Sequence, residues 1–200
     1  LHLTRVINTA KRSGAKLVVI DPKRIKIAEQ ADLFLPVRPG TDVVLGYALA
    51  CELERLNAID HAFVEQWTVG FEEYMREARK YPAAVAAELC GIPQADIETL
   101  AQWYIDASPA AISVGNGMER SVTGGASLRT AMALPALAGK FGVVGGGVIA
   151  KPGAAFPKTP EKLQRPDWIA QGTRTLNIMG VSEHILDDAI DPPVRGLVIY

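Results

Sequence analysis

Apolar residues along the chain fall into two patterns, short segments in which nearly every residue is apolar and longer segments with a spacing of three and four. The short segments, which are typical of strands buried in a parallel sheet, are 16–20, 33–38 and 110–114. The helical spacing is clearest at 44–53, 96–107 and 126–141. This alternation predicts an α/β fold, namely a doubly wound, mainly parallel sheet with helices on both faces in a three-layer αβα arrangement.

The same pattern divides the chain into four segments. Residues 1–60 form the first part of an α/β domain, and 61–141 hold a helical stretch followed by a second α/β part. Residues 142–181 are rich in glycine, proline and isolated charges, which predicts an irregular excursion, and 182–200 are a closing helix and strand. Because apolar residues at helical spacing begin at once and without an initiator methionine, we interpret the chain as an internal piece of a longer protein.

Composition and charge exclude several classes of function. The 21 Lys and Arg residues nearly balance the 22 Asp and Glu residues, which excludes a strongly basic nucleic-acid-binding domain. The longest uncharged stretch, 107–118, is shorter than the roughly 18 apolar residues that a membrane-spanning helix needs, so no transmembrane segment is predicted. Cys51 and Cys90 lack a further cysteine or histidine at metal spacing. We therefore expect two buried thiols and no metal site built from this chain.

Two carboxylates follow two successive predicted strands. Asp21 comes directly after the first run, and Asp42 lies shortly after the second. Open α/β sheets bind ligands at the carboxyl ends of their strands, where Asp21 could accept hydrogen bonds from a ribose or a purine edge and Asp42 could bind the ring and amino N–H groups of a guanine. The residues alone leave a plainer interpretation open, in which Asp21 is a turn residue before Pro22 and Thr41 or Asp42 caps a helix. Their joint placement after successive strands favours a common crevice.

A glycine-containing segment follows the third predicted strand. Gly115 and Gly117 let a ligand approach the backbone, and Arg120 could neutralise a phosphate. Because the third glycine of the dinucleotide fingerprint is missing, a tight turn with a surface arginine remains an alternative. The three histidines lie on separate predicted helices, away from any nucleophile-elbow sequence. No catalytic residue is therefore assigned to this chain.

Four stretches carry a family resemblance. They are 14–22 (GAKLVVIDP), 31–42 (ADLFLPVRPGTD), 115–120 (GNGMER) and 137–147, which joins LAGKFG to a glycine triplet. Their order and spacing, above all the pairing of the first two about twenty residues apart, resemble the molybdopterin oxidoreductase family. This family includes enzymes related to dimethyl sulfoxide reductase, periplasmic nitrate reductase and formate dehydrogenase, which bind two molybdopterin guanine dinucleotides.

The resemblance implies roles for individual residues. In such proteins the aspartates of the first two stretches hold the guanosine part of one cofactor, so the resemblance puts Asp21 and Asp42 in those roles and makes 1–60 part of a dinucleotide-binding domain. The residues that would shape the same pocket are Pro22, Arg38, Gly40 and Thr41. The residues that would lie near the pterin and the substrate funnel are Gly115, Gly117, Met118, Glu119 and Arg120. Many relatives have glutamine where this chain has Glu119.

The resemblance also implies cofactors and partners for the whole protein. We expect an internal fragment of a prokaryotic enzyme, cytoplasmic or periplasmic, that holds bis-molybdopterin guanine dinucleotide with molybdenum or tungsten and carries out oxygen-atom or hydride transfer. A small-molecule substrate, an electron-transfer subunit or carrier, and an iron–sulfur cluster outside this chain would complete it. Two alternatives stay open: a metal-free structural homologue that acts as a scaffold in a respiratory complex, and the central domain of a thiamine-diphosphate enzyme.

Overall fold

The computed structural model describes residues 3–150, 158–187 and 189–198. The chain divides into two compact units, Leu1–Pro152 and Gly153–Tyr200, and each is described by itself. The four segments predicted from the sequence stay a prediction, because a division into two units does not test their boundaries.

The first unit mixes helices with short strands. Its helices are α1 (Leu3–Arg12), α2 (Asp42–Arg55), α3 (His61–Trp67), α4 (Phe71–Ala78), α5 (Ala83–Cys90), α6 (Gln94–Asp106), α7 (Asn116–Glu119) and α8 (Gly124–Leu137). Its strands are β1 (Val18–Ile20), β2 (Leu33–Leu35), β3 (Ala111–Ser113) and β4 (Gly147–Ile149), with a 3₁₀ helix at Lys26–Gln30 between the first two.

The strands of this unit pair in parallel. Strand β1 lies beside β2 with Ile20 opposite Leu35, and β3 lies beside β4 with Ala111 opposite Gly147. Helices combined with parallel strands confirm the predicted α/β class. Within the described residues the strands form two separate two-stranded sheets, since the segment between β2 and β3 folds only into helices and supplies no strand to join the pairs.

Two strands differ from the sequence prediction for identifiable reasons. The run 33–38 was expected to be extended throughout, but β2 ends at Leu35. Pro36 has no backbone N–H to donate to a neighbouring strand, so the ladder stops there. Strand β4 lies in the segment expected to be irregular. It was not predicted because the glycines before it indicate a loop, and only two apolar residues in the strand indicate otherwise.

Helix α2 lies at the centre of the first unit and packs against α4, α5, α6 and α8. Its buried apolar residues are Leu45, Ala48, Leu49, Ala50 and Leu53. Complete burial of one leucine side chain contributes roughly 1.5–3 kcal/mol. The contact with α8 is close at Gly46, where an added Cβ would stand 2.5 Å from the Cβ of buried Thr130. The two helices can approach this closely at position 46 because it has no side chain.

Polar side chains satisfy two helix ends in this unit. The carboxylate of Asp60 accepts a hydrogen bond from the backbone N–H of Phe63 at 2.9 Å and so caps the N-terminus of α3. Buried Lys140 donates to the carbonyl oxygens of Ile105 at 3.0 Å and Ala107 at 2.8 Å, and so satisfies the C-terminus of α6. The ammonium group is favourable there because carbonyl oxygens make that end of a helix negative.

The second unit has little regular structure. It contains α9 (Pro160–Gln164), α10 (Val181–Leu186) and short 3₁₀ helices at Pro166–Trp168 and Ile178–Gly180. None of its described residues is buried. Residues 195–198, expected as part of a closing strand, are not in a strand, and residues 199–200 of the same prediction lie outside the described residues.

Candidate functional site

The parallel pairing of β1 with β2 brings both carboxylate-bearing loops to one edge. Because Ile20 is opposite Leu35, the two strands end at the same level and their carboxyl ends point the same way. The backbone N–H of Asp21 donates to the carbonyl oxygen of Leu35 at 3.2 Å, so Asp21 lies beside the start of the segment that leads to Asp42. This is the edge at which open parallel sheets bind ligands.

The loop after β1 is folded by its own contacts. Asp21 Oδ1 accepts a hydrogen bond from the backbone N–H of Lys23 at 2.8 Å, across exposed Pro22. The guanidinium group of Arg24 stacks on the ring of Phe34, 4.6 Å from its centroid. One carboxylate oxygen of Asp21 therefore acts as the plainer interpretation expects, as a turn acceptor. The other oxygen accepts no hydrogen bond from the residues that the structure describes.

The segment between β2 and α2 is a tight turn. Both the backbone N–H of Thr41, at 3.2 Å, and its hydroxyl group, at 2.7 Å, donate to the carbonyl oxygen of Arg38, while Gly40 has a φ of +84° that favours glycine. Thr41 stands at the N-cap of α2, but its side chain makes no capping hydrogen bond to the helix. Asp42 is the first residue of α2, where a carboxylate complements the positive end of the helix dipole. The interpretation that the Thr41 side chain caps α2 is therefore wrong.

Arg38 fixes the other end of this turn. Its Nη1 donates to the carbonyl oxygens of Glu88 at 2.6 Å and Leu89 at 3.2 Å, and its backbone N–H donates to the carbonyl oxygen of Cys90 at 2.9 Å. The guanidinium group also packs against Gly91, where an added Cβ would stand 3.0 Å from Nε. Arg38 therefore satisfies the C-terminus of α5 and holds the turn against that helix.

The segment 115–120, which follows β3 and contains α7, has solvent-exposed backbone at its two glycines. Gly115 and Gly117 are exposed, and an added Cβ at either position would meet nothing within 4 Å. Met118 and Glu119 are half-buried, and Arg120 is exposed. The backbone of this segment is therefore accessible to a ligand.

A hydroxyl group links this segment to the turn before α2. Thr123 Oγ1 donates to the carbonyl oxygen of Gly40 at 3.0 Å. Ser121 Oγ lies 3.3 Å from Thr123 Oγ1 and also 3.3 Å from the carbonyl oxygen of Met118. This link has no signal in the sequence, because a threonine before two glycines indicates the start of a helix and not a partner 83 residues away.

Both cysteines are protonated thiols at neutral pH; Cys90 is buried beside the turn before α2, whereas Cys51, expected to be buried, is half-buried within α2. Burial raises the pKa of Cys90, whose Sγ lies 3.7 Å from the carbonyl oxygen of Thr41, and the negative charge of Asp42 adds to the rise. Burial likewise raises the pKa of Cys51 to about 11. Because a thiolate is the reactive form, neither cysteine is a nucleophile at neutral pH.

The comparison with known proteins decides the family. The family model for molybdopterin oxidoreductase matches residues 2–176. The chain belongs to the molybdopterin oxidoreductase family. This membership confirms the resemblance found in the four stretches. It argues against the alternative that the chain is the central domain of a thiamine-diphosphate enzyme.

Individual molybdopterin oxidoreductase relatives are longer than this chain. It is 34% identical to the probable oxidoreductase YoaE of Bacillus subtilis, and the match covers the whole chain and 29% of YoaE. It is also 34% identical to formate dehydrogenase H of Escherichia coli over 72% of this chain and 20% of that protein. The solved structure of acetylene hydratase from Pelobacter acetylenicus superposes with a TM-score of 0.65 at 34% identity, over 68% of this chain and 19% of that one.

The described ranges contain no helix that is both long and apolar enough to cross a membrane. Nor do they contain three or more His, Cys, Asp or Glu side chains grouped as metal ligands.

Proposed function

We propose that this chain supplies the guanosine-binding part of a bis-molybdopterin guanine dinucleotide site in a molybdenum- or tungsten-dependent oxidoreductase. The observation that carries the proposal is the parallel pairing of β1 with β2, which directs the loop of Asp21 and the turn before Asp42 to one edge. Family membership supports it, since the matched model covers both loops and the 115–120 segment.

The groups at this edge have the chemistry that a guanosine needs. Guanine offers adjacent ring and amino N–H donors, and a carboxylate can accept both at once. The carboxylate of Asp42 accepts no hydrogen bond from the described part of the chain, and Asp21 keeps one oxygen in the same condition. The open backbone at Gly115 and Gly117 leaves space for a bulky group. The residues present therefore fit the cofactor.

The proposal assigns a separate role to each group of site residues. Asp42 binds the guanine edge, and Asp21 accepts hydrogen bonds from the ribose or from the purine. Gly40 and Thr41 set the position of Asp42, and Arg38 holds their turn while Pro22 shapes the neighbouring loop. The residues proposed to line the pterin side are Gly115, Gly117, Met118, Glu119 and Arg120. Arg120 is exposed and can neutralise a phosphate.

The whole protein is proposed to be an oxidoreductase with a small-molecule substrate. When bound, the cofactor supplies oxygen-atom or hydride transfer at its metal, and the protein contributes orientation and electrostatics. An iron–sulfur cluster and an electron-transfer subunit or carrier belong to the same proposal. The substrate is not part of it, because the relatives include proteins named nitrate reductase, formate dehydrogenase and acetylene hydratase.

The cofactor content of the full-length protein tests this proposal. Asp42→Ala is compared with Asp96→Ala, because Asp96 is also a half-buried acid in the first turn of a helix, α6, and it makes no hydrogen bond to the proposed site residues. Each purified protein is assayed for molybdenum and tungsten by mass spectrometry and for guanine after acid hydrolysis. We expect Asp42→Ala to lose guanine and metal together while Asp96→Ala retains both.

Two results would argue against the proposal. Equal guanine and metal content in Asp42→Ala and Asp96→Ala would remove the assignment of Asp42. Wild-type protein without guanine or metal, purified from cells that load other members of the family, would instead favour the metal-free scaffold.

A further inference from the structure

Thr123 uses its hydroxyl group in an unusual way for its position. It is the N-cap residue of α8, and an N-cap threonine commonly accepts a hydrogen bond from the first turn of its own helix. Thr123 makes no such cap, and its hydroxyl group donates instead to the carbonyl oxygen of Gly40, 83 residues earlier. The hydroxyl group thus serves a tertiary contact in place of the local one.

The acceptor of this hydrogen bond is two residues before Asp42. The turn from Arg38 to Asp42 is held at its Arg38 end by the carbonyl oxygens of α5, and at Gly40 by Thr123. Gly40 has a positive φ, so its peptide group can rotate at low steric cost once the contact is lost. A rotation there changes the direction in which α2 begins and with it the position of the Asp42 carboxylate.

The donor residue of the contact is tied to the elements on both sides of it. Gly124 is buried against the 115–120 segment, and a Cβ at this position would overlap with the carbonyl oxygen of Glu119. Ser127 donates to the carbonyl oxygen of Thr123 from its backbone N–H at 2.9 Å and from its hydroxyl group at 3.1 Å. Thr123 therefore moves together with the segment before it and the helix after it.

We propose that Thr123 is a positioning residue that couples the Gly40 turn to the 115–120 segment, so that a guanine nucleotide bound at the turn also orders the segment. This inference rests on the proposed function, and it adds a dependence between two loops that family membership does not supply. Without the hydroxyl group each loop still carries its own ligand-facing residues, but binding at one no longer orders the other.

The coupling is tested by hydrogen exchange on the full-length protein, produced without cofactor in a host that makes no molybdopterin. Guanosine monophosphate is the probe. In the wild type we expect the nucleotide to slow amide exchange in both 36–42 and 115–120. In Thr123→Val and Thr123→Ala we expect slower exchange in 36–42 only, and a nucleotide Kd raised about three- to tenfold, as for the loss of one neutral hydrogen bond.

Two controls separate coupling from a general loss of structure. Thr123→Ser keeps the donor and is expected to restore exchange protection at 115–120. Thr99→Val removes a threonine hydroxyl group that donates within α6 to the carbonyl oxygen of Ala95, and it is expected to behave as the wild type. Protection of 115–120 that persists in both Thr123→Val and Thr123→Ala would overturn the coupling while leaving the proposed function intact. Absence of nucleotide binding by the wild type, with no difference from Asp42→Ala, would overturn the proposed function and this inference with it.

Discussion

A substitution at Gly46 tests the helix contact on which the site is built. An alanine Cβ there would stand 2.5 Å from the Cβ of Thr130, whereas carbon atoms in contact are about 3.5–4.0 Å apart. Helix α8 must therefore move by about 1 Å, and overpacking of this kind costs about 1–3 kcal/mol. Replacing a helical glycine by alanine returns about 1 kcal/mol. We expect Gly46→Ala to lower the free energy of unfolding by up to about 2 kcal/mol.

The assay is urea unfolding, and the chain offers a matched control. Gly125 also lies in a helix, α8, but an added Cβ there would meet nothing within 4 Å. Gly125→Ala is therefore expected to leave the free energy of unfolding unchanged or to raise it by up to about 1 kcal/mol. If Gly46→Ala were as stable as Gly125→Ala, the close approach of α2 and α8 would be refuted.

A double-mutant cycle distinguishes steric overlap from other costs. Thr130→Gly removes the Cβ that Gly46→Ala would meet, so the double variant moves the glycine from α2 to the facing position in α8 without creating the overlap. We expect the double variant to be more stable than the sum of the two single changes by at least about 1 kcal/mol. Additive changes would contradict the steric explanation.

Two further predictions concern side chains that hold the edges of the first unit. Asp32 accepts hydrogen bonds from the backbone N–H of Leu17 and from Lys11, both at 2.7 Å, and these lower its pKa. A lowered pKa stabilises the fold at pH values above the unfolded pKa of about 3.9, and this stabilisation is lost as the pH falls through the folded pKa. Asp32→Asn should therefore be less stable than the wild type in urea at pH 7, and the difference should be smaller at pH 3. Equal differences at the two pH values would contradict this. Arg38→Ala should lower the free energy of unfolding by about 1 kcal/mol and speed amide exchange at the end of α5. Arg76→Ala, which changes another exposed arginine, should change the free energy of unfolding by less than about 0.5 kcal/mol. Similar effects of both changes would refute the role of Arg38 in capping the C-terminus of α5.

The parts of the fold that depend on local pattern could be predicted from the sequence. The spacing of Leu45, Ala48, Leu49 and Leu53 predicts α2 because every third or fourth residue faces the core. The apolar run that ends at Ile20 predicts β1 and places Asp21 at a strand end. These features follow from the chemistry of neighbouring residues, so no distant contact is needed to infer them.

The contacts that join distant segments could not be predicted in this way. Nothing in the sequence around Arg38 indicates the partner of its guanidinium group, which satisfies the end of a helix 50 residues further along the chain. The donation from Thr123 to Gly40 has no local signal either, because a hydroxyl group fits many partners equally well. Such contacts depend on how helices pack, which the spacing of apolar residues leaves open.

The two halves of the candidate site belong to different parallel pairs, so no shared ladder of hydrogen bonds fixes the distance between them. That distance depends instead on the hydrogen bond from Thr123 to Gly40 and on the packing of α2 against α8, because α2 begins at Asp42 and α8 begins directly after Thr123. A substitution at Gly46 therefore changes the site without altering any residue in it, and it should reduce stability and cofactor content together. Asp42→Ala removes the carboxylate that we propose to bind guanine and should reduce cofactor content far more than stability, since the loss of one first-turn carboxylate costs at most about 1 kcal/mol. Comparing the two variants separates the geometry of the site from its chemistry.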